Sequence, residues 1–155
     1  MISYLKGKIV EIGETYVVLN VGGVGYKVHI SLEDEGWKGI TEDSELEVFT
    51  SQYFREDEQG LYGFPTPAER NFYELLTTVS GVGPKLASSI LGKFKHEEIA
   101  NLIVKEDIPG IVKVPGIGKK VAEKIIVELR DKALEYSDEL PASKGVSKKW
   151  KDEME

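Results

Sequence analysis

The chain has no cysteine and only two histidines in 155 residues, and each scarcity closes off a chemistry. Without cysteine there is neither a disulfide framework nor a thiolate metal site, and His29 and His96 are too few to build a zinc site by themselves. No stretch approaches the roughly 18 apolar residues that a membrane span needs, and the opening MISYLKGKIVEIGE lacks a secretory apolar core. A soluble, cytoplasmic protein with no membrane partner is the expectation. Nor is the chain basic: 20 lysines and arginines stand against 27 aspartates and glutamates, a net charge of −7, the wrong sign for gripping nucleic acid over a uniformly positive surface. Two nucleotide signatures are missing as well. The P-loop pattern GxxxxGK[ST] is not satisfied, and GVGPKL and GIGKKV lack the third glycine of a dinucleotide fingerprint. No cofactor is expected.

What remains is ordinary globular composition, 41% hydrophobic and 9% aromatic, enough for one large or two small domains with a buried core. The charge is unevenly spread. Met1 to Thr66 holds 5 basic and 12 acidic residues, Pro67 to Ser137 holds 11 and 10, and Asp138 onward holds 4 and 5, so the acidity sits in the first segment.

That segment alternates with the period of a strand: SYLKGKIVEI, then TYVVLNV with Val17, Leu19 and Val21 on one face, then GYKVHIS with Tyr26, Val28 and Ile30 on one face. Gly13, Gly22-Gly23 and Gly25 supply the breaks. After an acidic connector come ELEVFTSQYF and GLYGF, separated by the charged turn REDEQ. Five or six short strands in so few residues predict an OB-like antiparallel β-barrel over residues 1–64, because closure leaves few open edges. At Phe64-Pro65-Thr66-Pro67 the period changes to that of a helix, with Thr66 as N-cap and Pro67 at the first helical position. Residues 65–136 are expected to form an all-α domain, giving an α+β chain overall. Its helices lie in PAERNFYELLTTV, KLASSILGKF, HEEIANLIVKE and KKVAEKIIVELRDKALEY, each with an apolar stripe. Residues 137–155 are polar, keep only Leu140, Val146, Trp150 and Met154 as scattered apolar groups, and are expected to be a flexible linker or tail.

Within the helical part a pattern occurs twice. VSGVGPKLASSILGKF and VPGIGKKVAEKIIVEL align at an offset of 35, pairing Val79 with Val114, Gly81 with Gly116, Val82 with Ile117, Gly83 with Gly118, Lys85 with Lys120, Ala87 with Ala122 and Ile90 with Ile125. Each copy reads as helix, glycine turn, helix. Glycines admit backbone conformations that other residues resist, and the amides at the start of the second helix are left unpaired. Such donors, backed by the helix dipole and a nearby lysine, hold a phosphate without reading a base. A tight structural turn would explain one copy, but it has no reason to repeat its lysine.

VGGVGYKVHI, REDEQGLYGF, VSGVGPKLA and VPGIGKKVAEKIIVELRDK, in this order and spacing, resemble the RuvA family of Holliday-junction recognition subunits over about Met1 to Lys132. The resemblance implies a barrel that assembles a fourfold homotetramer, with octamers as a further assembly, and two helix-hairpin-helix motifs that hold the arms of four-way junction DNA by the minor-groove backbone. It places DNA contacts at Gly81, Gly83, Lys85, Gly116, Gly118, Lys119, Lys120 and Lys124, and an acidic pin at Glu56 and Asp57 near the junction centre. It implies no catalytic residue or metal in this chain. The partners implied are a RuvB-type hexameric ATPase and a RuvC-type resolvase. The ATPase contact belongs to a small third domain, for which the residues after Tyr136 hold too few apolar groups, so coupling to the motor is not expected here.

Carboxylates beside a phosphate backbone repel it, so four such pins would disfavour continuous duplex and favour strands diverging at the centre. A helix-hairpin-helix DNA glycosylase or lyase is the rival reading, with Lys120 and Asp138 as the conceivable pair. A protein-interaction module without DNA is a third. His29 and His96 receive no function, Glu128 with Lys132 reads as an ion pair at helical spacing, Trp37 reads as packing, and Ile2, Tyr4 and Leu5 serve either subunit contacts or the barrel core.

Overall fold

A computed structural model of the chain describes residues 1–137. The expected tail from Asp138, with Trp150 and the carboxylate of the Lys120–Asp138 pair, lies outside the described residues.

Alternation produces the strands β1 (Tyr4–Ile12), β2 (Tyr16–Val21), β3 (Val24–His29), β4 (Glu45–Arg55) and β5 (Glu58–Phe64), which close in the order β1-β2-β3-β5-β4. Every pairing is antiparallel except β3 with β5, where Val28 and His29 run parallel to Leu61 and Tyr62. Inward positions alternate along β1 to β4, so Leu5 and Ile9, Val17 and Leu19, Val28 and Ile30, and Val48 meet in one core with Leu61 of β5, a strand buried continuously from Leu61 to Phe64. Closure needs β1 to serve two neighbours. A bulge between Ile9 and Glu11 leaves Val10 without a partner on β2, the kind of irregularity that bends a strand round a barrel.

The turn between β2 and β3 consists of Gly22 and Gly23 at φ of 60° and 90°, the left-handed pair that a two-residue hairpin of this twist requires. Gly25, which the sequence suggests as a break, is instead paired within β3 opposite Asn20. The acidic connector folds into a 3-10 turn at Glu35–Trp37, capped by the Asp34 carboxylate, which accepts from the Gly36 amide at 2.9 Å. Trp37 is buried in the barrel core, as expected for a packing residue in a strand connector. Leu5 joins that core while Tyr4 stays 44% exposed.

Helices follow: α1 (Pro67–Thr77), α2 (Pro84–Lys93), α3 (His96–Val104), α4 (Ile108–Val112) and α5 (Lys119–Ala133). Thr66 caps α1 as expected, its hydroxyl accepting from the Glu69 amide at 3.2 Å. The chain forms two compact units. The first is Met1–Thr77 with Gly83–Lys93, the barrel together with α1 and α2. Tyr73 of α1 packs tilted against Phe64 and stacks on Tyr62 of β5, at centroid distances of 4.7 and 5.7 Å, and Arg70 donates to the Ser3 carbonyl at 2.8 Å. The second unit holds Thr78–Val82 and the described chain from Phe94. There Ile99 and Ile103 of α3, Ile111 of α4, and Ile125, Ile126 and Leu129 of α5 are buried. The Asp107 carboxylate caps α4 through the Gly110 amide at 2.9 Å, and Ser137 donates to the Asn101 side chain at 2.7 Å.

Candidate nucleic-acid interface

The duplicated pattern is duplicated in the backbone. In the first turn the Val82 amide donates to the Val79 carbonyl at 3.0 Å, and the Ala87 amide donates to Gly83 at 3.0 Å. At the same offset, Ile117 donates to Val114 at 3.2 Å and Ala122 to Gly118 at 2.9 Å. Gly81 has φ of 99° and Gly116 φ of 92°, a region that side chains with a Cβ rarely enter. Val79, Val82, Val114 and Ile117 are all buried, pinning each turn inward on both sides of its glycine.

The two glycines of each turn differ in conformation. Both were expected to need glycine's backbone freedom, and only the first of each pair does. Gly118 is the N-cap of α5 at an ordinary φ of −87°, and a Cβ placed on Gly83 or Gly118 would meet nothing within 4 Å. Their bareness therefore leaves open space rather than relieving strain. Gly81 is also a close approach, since a Cβ there would lie 3.1 Å from Cγ2 of Val121 in the first turn of α5.

Behind these glycines stand unpaired donors. The first bond of the α5 ladder runs from Ala122 to Gly118, so the amides of Gly118, Lys119, Lys120 and Val121 precede it without intrahelical acceptors. In α2 the corresponding amides are Gly83, Lys85 and Leu86, because Pro84 stands where Lys119 does and has no N–H. Lys85, Lys119, Lys120 and Lys124 are exposed, and Lys120 and Lys124 lie one turn apart on α5. Positive side chains thus flank a positive helix end. Toward the other end of α5 an ion pair joins Arg130 to Glu106 at 3.5 Å.

Glu56 and Asp57 form the two-residue turn between β4 and β5, with Arg55 opposite Glu58. The turn is tighter than REDEQ suggested, since Arg55, Glu58 and Gln59 belong to the strands. Both carboxylates are exposed.

One residue that the sequence left unassigned acquires a setting. Half-buried His29 lines a cleft of about 520 Å³ in the first unit, with Thr15, Tyr62, Lys85, Ser88 and Ser89 among its walls. Burial, then the charges of Lys27 and Lys85, lower its pKa against the opposing charge of Glu58, which favours the neutral ring. The cleft joins residues far apart in sequence, which no local pattern signals.

Barrel and paired turns together define a class: an OB-like domain joined to tandem helix-hairpin-helix motifs. Residues 1–63 match the family profile described as RuvA N terminal domain, and residues 73–131 match the SAM-like helix-hairpin-helix tandem. The chain is 42% identical to the Holliday junction branch migration complex subunit RuvA of Rhizobium meliloti (strain 1021), over 94% of this chain and 71% of that protein. It is equally similar, at 42%, to the protein of the same name from Bradyrhizobium sp. (strain BTAi1 / ATCC BAA-1182), over 89% of this chain and 67% of the relative. The same identity holds for that of Brucella suis biovar 1 (strain 1330), over 94% and 71%. The chain belongs to the RuvA family.

Proposed function

We propose that this protein binds four-way DNA junctions by structure rather than sequence, as a tetramer, and holds them open for branch migration by a partner ATPase. The observation that carries the reading is the repeated turn: two helix N-termini, each with free amides, bare glycine and lysine. Main-chain donors grip phosphate irrespective of base. Gly81, Gly83 and Lys85 form one clamp, and Gly116, Gly118, Lys119 and Lys120 the other, with Lys124 adding charge a turn later. In a fourfold assembly made by the barrels, residues 1–64, each arm of the junction meets the paired clamps of residues 65–136.

Glu56 and Asp57 act by exclusion, turning away backbones that would run straight through the centre. The chain supplies binding and orientation, not catalysis. Among the described residues no group of three or more His, Asp or Glu could hold a metal ion, and no helix among them is long and apolar enough to cross a membrane. In this reading the motor that works on the held junction is a RuvB-type hexameric ATPase and the resolving nuclease a RuvC-type enzyme, both in the cytoplasm, while direct docking of the motor on the described residues is not part of the proposal.

Gel-shift titration of a four-way junction and a linear duplex of equal length, with mass in solution measured on the same samples, tests this reading. Expected are a tetramer, preference for the junction, and a steep fall of log K with log salt, near −0.9 per phosphate contacted. Lys120→Ala and Lys124→Ala should each lower that slope by about one. A monomer with equal affinity for both DNAs overturns the proposal.

A further inference from the structure

The β4–β5 hairpin outruns the barrel. Pairing of β4 with β1 ends at Phe49, and pairing of β5 with β3 is confined to Leu61 and Tyr62. The Ile2 amide still reaches the Gln52 side chain at 3.0 Å, but the pairs Tyr53–Gly60, Phe54–Gln59 and Arg55–Glu58 belong to a two-stranded arm. On one face of this arm Arg55 lies over the ring of Tyr53, 5.1 Å from its centroid. On the other face stands Phe54, opposite Gln59 and 60% exposed.

Phe54 is outside the barrel core, and the two-stranded arm leaves most of it open to solvent. Its neighbourhood restricts what can cover it. Glu56, Asp57 and Glu58 outnumber Arg55 at the tip, so phosphate is repelled while an uncharged surface is not. A nucleobase whose backbone has turned aside is such a surface, flat and able to stack on an aromatic ring regardless of identity. The geometry points to Phe54 as a stacking wedge: it takes the exposed face of a base at the point where junction strands diverge, while Glu56 and Asp57 hold the phosphates off. This inference rests on the junction-binding reading above and adds to the carboxylate pin an apolar element that engages bases.

Permanganate oxidises thymines whose faces are uncovered, which makes it a direct test. A four-way junction carrying thymines at the crossover is saturated with native protein, Phe54→Ala, Phe54→Leu or Phe54→Trp, and the shifted complex is probed. Crossover thymines should react several-fold faster in the Ala and Leu complexes than in the native one, with Trp restoring protection and arm thymines unchanged. Equal reactivity in native and Ala complexes overturns the wedge while leaving junction binding intact. Loss of the tetramer in Phe54→Ala, seen as a fall in mass, also overturns it and assigns the ring to a second copy of the chain. Failure of native protein to shift the junction overturns the underlying function, and the wedge with it.

Discussion

The two hairpins share a backbone and differ in what decorates it. Both turn through a left-handed glycine, both bury the apolar residues on either side, and both start a helix with unpaired amides. The second adds Lys119 and its N–H where the first has Pro84, and follows with Lys124. Backbone geometry is thus the repeated element, while charge is graded between copies. If both turns hold phosphate as proposed, the second should hold it more tightly than the first.

The largest effect should come from breaking what the copies share. Gly81→Val or Gly116→Val forces a β-branched residue into a left-handed turn, a strain of roughly 1–3 kcal/mol, and should lower junction affinity at least tenfold with a fall in melting temperature. Retention of affinity by a folded variant would remove the turns from the interface. Exchanging the decoration sharpens the contrast at smaller amplitude. Lys119→Pro, which the first helical position tolerates, should weaken junction binding several-fold without unfolding, and Pro84→Lys should strengthen it by a similar factor. Identical effects on junction and duplex are expected, because both changes act on phosphate alone.

Smaller still is the effect of the acidic turn. Glu56→Gln with Asp57→Asn should raise duplex affinity a few-fold and narrow the preference for junction, read by competition in a gel shift. Least is the contribution of His29, whose folded pKa lies below its ordinary value. The unfolded chain therefore binds the proton first, and stability present above about pH 6.5 should decline as pH falls through the folded pKa. Urea titrations from pH 7.5 to 5 should show this slope, reduced in His29→Gln.

Much of this was legible in the sequence because it depends on local periods. Val17 and Leu19, or Val28 and Ile30, alternate as a half-buried strand must, and the offset of 35 reveals the hairpins without any knowledge of their contacts. Thr66 reads as a cap for the same local reason. The five residues of α4 were not legible, since Ile108-Pro109-Gly110-Ile111-Val112 is too short and too poor in helix formers to show a period. The repeat did hold a clue, for the same offset lays this segment on Tyr73–Thr77, the end of α1. The unequal roles of Gly81 and Gly83 were hidden because both are simply glycine until φ is known. The docking of α1 on β5 through Tyr73, and the cleft around His29, arise from residues brought together only by folding.

Donors that belong to the main chain confer a kind of mutational immunity. Most single-codon changes at Lys85, Leu86, Lys120 or Val121 alter a side chain and leave the peptide N–H where it was. Genetic vulnerability therefore concentrates in the few codons whose glycine sets the path of the chain. If these amides hold phosphate as proposed, affinity can be retuned by exchanging lysines for neutral residues around donors that stay in place, whereas proline is the one side chain that removes a donor.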